Sequence, residues 1–263
     1  MANNRFPDSF AGVYPKAHNQ RELKVIETAL ESARKDVEDN FSMLPLCGAD
    51  VGGGAATGTA GDINLLNSGL NLYEYHIKGT QTILAPAFSA NGLDISMDQT
   101  DNDGMELSLG VTARCKSAYT VGGQDGKSFF AELQLSIADV SGTDDCAFGF
   151  RKAEAYQANI DDYDEMAVLN VISGDVKIET ILNNAATATT DTTLNLADAG
   201  TVKLRLEVDK AGRLSTYVDG TRTALQPNFK FDAGEVVVPF FFFLHSSDVA
   251  GVTNLKSFRS GLI

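Results

Sequence analysis

The 263-residue sequence predicts a mainly β protein, a two-sheet antiparallel sandwich preceded by an N-terminal arm and one amphipathic helix. Three observations carry that reading. Behind residue 62, run after run alternates apolar with polar residues, the period of half-buried strands. Clusters of Gly, Asn and Asp separate those runs at short intervals, as turns do. A helical period is confined to one stretch near the N-terminus. A composition of 43% hydrophobic residues, 21% charged residues and 24 glycines fits a turn-rich globular chain, long enough to bury a core without staples.

Residues 1 to 62 divide into arm, helix and linker. Pro7, Gly12 and Pro15 break up the arm, with Phe6, Phe10 and Tyr14 spaced between them. Such an arm docks either on a neighbouring subunit or on its own domain. From Asn19 to Phe41, Ile26, Leu30, Ala33, Val37 and Phe41 recur at spacings of three and four, with charged residues on the other faces. That is an amphipathic helix, with Asn19 as N-cap and Glu22 as its capping-box partner. Its stripe must be buried, on its own sandwich or on another subunit. Phe6, Phe10, Tyr14, Ile26, Leu30, Val37 and Phe41 are therefore the candidate partner-binding residues. Residues 48–62, with three adjacent glycines at 52–54, read as a flexible linker. A phosphate loop is rejected, because it needs a terminal Gly-Lys-Ser/Thr and a preceding strand.

The sandwich is expected over residues 63–263. Ala131, Leu133, Leu135 and Ile137 alternate with Glu132, Gln134 and Ser136; Val202, Leu204, Leu206 and Val208 alternate with Lys203, Arg205, Glu207 and Asp209. The second run passes through a Gly212 turn into Leu214–Val218 and turns again at Asp219-Gly220, a hairpin pattern. Further strands are expected over 70–78, 82–88, 93–97, 105–111, 117–121, 146–152, 166–172, 176–182, 192–196, 236–244 and 255–261. Val236–Leu244 is apolar on both faces and contains Phe240, Phe241, Phe242 and Phe243. It is either a central strand covered on both sides or a strand with one face against another chain.

Charge and cysteine usage exclude several functions. A net charge of −14 with no basic run argues against nucleic-acid binding, which needs clustered Lys and Arg. The N-terminus lacks the apolar core of a secretory signal, and 236–244 is too short to span a bilayer, so a soluble protein made inside a cell is expected. Cys47, Cys115 and Cys146 form no close pair, which suits idle thiols better than a zinc site.

No constellation of catalytic residues assembles. The nearest approach to a Glu-x-Asp-x-Glu glucanase strand, Asp161-Asp162-Tyr163-Asp164-Glu165, lacks the first Glu and precedes a strand, so it reads as a solvated acidic loop. Asp98, Asp101 and Asp103 with Gly104 resemble fragments of a calcium loop, but Gln99 stands at the expected first ligand position and the bidentate Glu is missing. A calcium loop outside the EF-hand pattern stays open. His245-Ser246-Ser247-Asp248 has the residue types of a triad but reads as a turn, since sequence neighbours rarely converge on one point. The absence of Trp weakens a sugar-binding reading without removing it, because seven tyrosines offer other stacking rings.

Leu204-Arg205-Leu206-Glu207-Val208-Asp209 followed by Tyr217-Val218-Asp219-Gly220 resembles the late hairpin of the concanavalin-A-like or laminin-G-like jelly roll. That fold hosts enzymes, lectins and structural domains alike. Residues 98–106, 139–152 and 243–248 resemble uncharacterised structural proteins of marine tailed phages. The resemblance implies a non-enzymatic virion component, a capsid decoration or cement protein on the outer capsid surface, assembled in the host cytoplasm. Its implied partners are the major capsid protein and neighbouring copies of itself, with no nucleic acid, membrane or cofactor. It carries no catalytic motif, so no catalytic, cofactor-binding or metal residue follows from it. The alternative is a glycan-binding module of a tail fibre or spike.

Overall fold

The structure is a computed structural model that describes residues 37–40, 51–52, 64–67, 72–80, 86–96, 100–108, 118–123, 126–246 and 252–263. Its strands, in chain order, begin with β1 (Val37–Asn40), β2 (Val51–Gly52), β3 (Asn64–Asn67), β4 (Leu72–Lys78), β5 (Ala87–Ser89) and β6 (Gly92–Asp94). They continue with β7 (Gly104–Ser108), β8 (Tyr119–Thr120), β9 (Phe129–Ile137), β10 (Thr143–Lys152), β11 (Met166–Ile172) and β12 (Asp175–Ile181). The last are β13 (Ala188–Asn195), β14 (Thr201–Val208), β15 (Leu214–Val218), β16 (Thr221–Arg222), β17 (Val236–His245) and β18 (Thr253–Leu262).

Among the described residues these strands form two antiparallel sheets. The eight-stranded sheet runs β16-β15-β14-β9-β18-β6-β5, with β1 also on β18. The ten-stranded sheet runs β13-β12-β11-β10-β17-β7-β4-β3-β2, with β8 also on β17. The mainly β two-sheet sandwich expected from sequence is therefore the observed fold.

Alternation does what its period predicts. Phe129, Ala131, Leu133, Leu135 and Ile137 of β9 and Val202, Leu204, Leu206 and Val208 of β14 point into one core. Phe148 and Phe150 of β10, Leu169 and Val171 of β11, and Phe241 and Phe243 of β17 meet them from the other sheet. Aromatic rings interlock at the centre, with Phe129 stacked on Tyr119 at 4.8 Å and edge-on to Phe150 at 5.1 Å. Tight hairpins join consecutive strands at Ser173-Gly174 and Asp219-Gly220, where both residues take positive φ as a type I′ turn demands.

The Phe-rich strand resolves in favour of the central position. β17 lies between β10 and β7, with Phe242 opposite Ala147 on one side and Glu106 on the other. Its odd residues Phe241 and Phe243 enter the inter-sheet core. Its even residues Phe240 and Phe242 face outward and join a second apolar cluster with Ile160, Tyr163, Met166 and Val168. Ile160 and Tyr163 come from the β10–β11 connection, residues 153–165, which folds over the outer face of the sheet. Pro239 falls between the stretches of β17 that pair with β8 and with β7, where the ladder on that side is already interrupted.

Two expectations need correction. Val37–Asn40, the last turn of the predicted helix, is strand β1, paired with β18 from Val37 opposite Ser260 to Asn40 opposite Ser257. Val, Asp and Asn are weak helix formers, and strand pairing occupies hydrogen-bonding groups on one side of β18. Val51–Gly52 of the predicted linker likewise pairs with β3. Phe6, Phe10, Tyr14, Ile26, Leu30 and Phe41 lie outside the described residues.

Truncating Phe242 to Ala should cost about 3–5 kcal/mol, because its side chain is fully buried on the outer face of the sheet. Urea unfolding followed by circular dichroism measures this. A cost near zero would mean that the 153–165 connection does not cover β17.

Candidate functional site

The outer face of the ten-stranded sheet carries polar groups that a solvated face would not bury. Glu106 on β7 and Arg151 on β10 are both 0% exposed. The Arg151 guanidinium donates from Nε (3.2 Å) and Nη2 (2.9 Å) to Glu106 Oε1. Its Nη1 donates to the Lys152 and Glu154 carbonyls at 3.1 and 3.2 Å. The Tyr163 hydroxyl donates to Glu106 Oε2 and accepts from the Gln157 backbone N–H at 3.2 Å. Burial, reinforced by the Glu106 charge, pushes the Tyr163 hydroxyl up, so it stays a donor. A charge-assisted network thus ties the 153–165 connection to β7 and β10.

A second set of side chains stands on β4. His76 Nε2 lies 2.9 Å from Glu74 Oε1, and the Tyr156 ring stacks on the imidazole at 4.3 Å. The Tyr156 hydroxyl is buried and has no hydrogen-bond partner among the described residues; burial, then Glu106, pushes it up. The Lys78 ammonium donates to the Ala158 carbonyl and sits 4.0 Å above the Phe242 ring. Burial pulls Lys78 down to about 8, against the opposing charges of Asp145, Glu106, Asp144 and Asp162.

These supports leave an open cleft of about 290 Å³ at the edge of the covering connection. Tyr156, Ala158 and Asn159 form one wall; Lys78, Gly79, Asn102 and Leu244 form the rest. Gly79 is required there: its φ is +78°, and a Cβ would lie 1.7 Å from Asp103 Oδ1. Asp103 accepts the Thr80 N–H at 2.8 Å, so this carboxylate of the proposed calcium loop fixes the turn. Asn102 also takes positive φ, at 63°. Neither Asn102 nor Asn159 makes a side-chain hydrogen bond among the described residues, and both are exposed.

Other sequence candidates fall elsewhere. In the Asp161–Glu165 run, only part of the segment is solvated: Tyr163 is fully buried and Glu165 is 1% exposed. The physical reason is that the run crosses the outer apolar cluster and then enters the sheet at β11. Burial, then Glu235 and Asp232, pushes Glu165 up to about 7, partly offset by Lys152 and the Asp232 backbone. Asp145 is pushed up to about 6 by burial, offset by the Asn170 amide and reinforced by Asp144, Glu179 and Asp161. Asn170 donates to Asp145 at 2.6 Å and to Glu179 at 2.8 Å.

His245 ends β17, with Nε2 3.0 Å from the Ser96 carbonyl and its ring edge-on to Phe243. The Ser246 hydroxyl donates to the Ser141 carbonyl at 3.3 Å, and Ser247 and Asp248 lie outside the described residues. Cys146 is buried in the core, where burial raises its thiol. Among the described residues, no group of three or more His, Cys, Asp or Glu side chains is placed to hold a metal. No helix among them is long and apolar enough to cross a membrane.

No protein-family model and no curated protein sequence matches the chain. Solved structures do share its fold. The carbohydrate recognition domain of Emp46p, in metal-free form, matches with a TM-score of 0.51 at 11% identity, covering 73% of this chain and 89% of that one. Its potassium-bound form gives the same values. A point mutant of that domain gives 0.50 at 10% identity over the same shares. Such identities show a common fold, in line with the concanavalin-like jelly roll expected from sequence.

Two predictions follow from the site's electrostatics. Glu106→Gln leaves the Arg151 charge buried beside a neutral amide and should cost about 3–5 kcal/mol in urea unfolding. Glu165, whose folded value is raised, contributes stability fully below its ordinary value of 4.5 that is lost as pH rises toward 7. Glu165→Gln should therefore flatten the fall in unfolding free energy between pH 4.5 and 7. An unchanged slope in the variant sinks that assignment.

Proposed function

We propose that this protein is a non-enzymatic glycan-binding module and that the sugar enters the cleft beside Tyr156. The observation that carries the reading is the cleft's mixture of chemistries. Tyr156 supplies an aromatic wall and Leu244 and Ala158 supply aliphatic contacts, as the C–H face of a pyranose requires. Asn102 and Asn159 offer two amides with no other side-chain hydrogen bonds among the described residues, and a sugar hydroxyl can pair with them. The buried Tyr156 hydroxyl, which has no partner among the described residues, gains one if ligand reaches it.

Two further points support binding rather than cleavage. Among the described residues no carboxylate lines the cleft, and glycoside hydrolysis needs a pair of them across the bond. The fold is shared with a domain described as carbohydrate-recognising, which lends fold-level analogy and no more. The virion placement rests on the sequence resemblance alone. A glycan-binding module on a phage tail fibre or spike would satisfy both readings.

The test is a glycan array followed by calorimetry on the best binder. Asn159→Ala and Asn102→Gly each remove an amide, and the second keeps the positive φ at no cost. Each is expected to weaken binding by roughly tenfold, the loss of one or two hydrogen bonds to ligand. The proposal fails if no glycan binds, or if binding is indifferent to both substitutions.

A further inference from the structure

We infer that Asp145 and Glu179, which share the amide of Asn170, form a proton-operated brace for the 153–165 connection, firm in mildly acidic surroundings and looser when both are ionised. The brace belongs to the fold around the cleft and operates whether or not a sugar is its ligand.

A polar ladder crosses four successive strands, β10 to β13, on the outer face of the ten-stranded sheet. Asn170 on β11 is fully buried, and its Nδ2 donates to Asp145 Oδ1 on β10 at 2.6 Å and to Glu179 Oε2 on β12 at 2.8 Å. Its Oδ1 accepts the Cys146 backbone N–H at 2.9 Å, so the amide cannot turn over and offer its oxygen to the carboxylates. The Thr189 hydroxyl on β13 donates to Glu179 Oε1 at 3.4 Å. Two carboxylates therefore lean on one neutral NH2 group, and Glu179 is only 8% exposed. Two anions in so small a space repel each other, and one proton removes that repulsion. The other charged groups facing Asp145 are Asp144 beside it on β10, Asp161 on the connection and Lys78 on β4, on which Asp162 and Glu106 also act. Across β17 its partner is Leu244, which carries no charge. Lys177 stands opposite Asn170, with Asp191 opposite it on β13. Carboxylates thus outnumber cations around the shared amide, and the Lys78 ammonium is engaged by the Ala158 carbonyl.

The same strands hold the far end of the connection. In the turn between β12 and β13, the Asn184 N–H donates to the Asp164 carbonyl at 2.8 Å and the Thr187 hydroxyl donates to Asp161 Oδ1. Asn159, which lines the cleft, directly precedes this end, so loosening here reaches the cleft wall. Burial pushes the Asp145 carboxyl up to about 6, with the Asn170 amide offsetting and Asp144, Glu179 and Asp161 reinforcing the rise. A carboxyl raised on folding contributes stability that is fully present below its ordinary value of 3.8 and is lost as pH rises through about 6. Ionised Asp145 then repels both Glu179, its link toward β13, and Asp161, which belongs to the cover.

Hydrogen exchange of the 158–163 amides between about pH 4 and 7.5, corrected for the intrinsic rate at each pH, tests the brace. The full chain carries Glu165→Gln throughout, which silences the other carboxylate raised by burial. Opening of the segment is expected to become roughly tenfold to a hundredfold more frequent across that range, and to stay flat once Asp145→Asn is added. Glu179→Gln keeps an acceptor for Asn170 and Thr189, and should shrink the rise and move it to lower pH. A rise that survives Asp145→Asn, or no rise in its absence, overturns the inference. In wild type the Asp145 carboxyl carbon, followed by NMR, should titrate near 6 and move down in Glu179→Gln. Titration near 3.8, or a midpoint indifferent to Glu179, overturns the inference even where Asp145→Asn fails to fold. None of these outcomes bears on the sugar reading, which the glycan array decides.

Discussion

The pairing of Arg151 with Glu106 is the constraint on which the outer half of this molecule depends. Neither group reaches solvent, so each must find its partners inside the protein or be expelled with the strand that carries it. Arg151 satisfies four donor positions, two on Glu106 and two on carbonyls of the chain that leaves β10. Tyr163 closes the arrangement from the other end of the same connection. Residues 153–165 are thus pinned near both ends to the sheet they cover. With that cover in place, Phe240 and Phe242 can face outward on a sheet and still be buried. Without it, the strand would expose two phenylalanines to water.

The same cover builds the cleft. Tyr156, Ala158 and Asn159 are held at its edge by the stacking on His76 and by the Lys78 contact with Ala158. Opposite them stand residues from three other segments, at 78–79, 102 and 244. The eight-stranded sheet is organised differently. A cross-strand row on its outer face runs Arg222, Tyr217, Arg205, Glu132 and Arg259, one residue per strand in direct register. Glu132 meets Arg205 at 3.3 Å and Lys203 at 3.5 Å, while Arg205 also lies 3.9 Å above the Phe130 ring. Those charges answer one another across neighbouring strands and tie that face of the sheet together.

How much of this could be read from the residues depends on the range of the interaction involved. β11 is observed at Met166–Ile172, the span expected, because period-two alternation and flanking turn residues are local signals. The hairpin of β14 and β15 follows from the same signals plus Gly212 and Asp219-Gly220. β1 was not legible as a strand, since Val37 also completes a helical stripe and the deciding partner, β18, lies over two hundred residues away in the chain. The cleft was illegible for a similar reason: its walls are four segments without a shared motif. One clue did exist. A strand with phenylalanines on both faces needs a second cover, and Ile160 and Tyr163 are large apolar residues set among the acidic ones at the end of the connection that follows β10.

That the cover is held by a buried ion pair rather than by more hydrophobic contact has a physical consequence. Apolar packing is tolerant of sliding, and a connection held only by Ile160 and Tyr163 could settle on Phe240 and Phe242 in several ways. A guanidinium with a fixed fork of donors accepts far fewer arrangements, because any slip leaves a charged group unpaired at a cost of several kcal/mol. The pair therefore contributes little net stability over an apolar substitute and much discrimination among registers. A cleft whose walls come from separate turns needs that discrimination, since a shift of about 1 Å is enough to lose a hydrogen-bonded fit. On this argument the sandwich supplies the stability, and the charges buried on its outer face supply the position of Tyr156, Ala158 and Asn159.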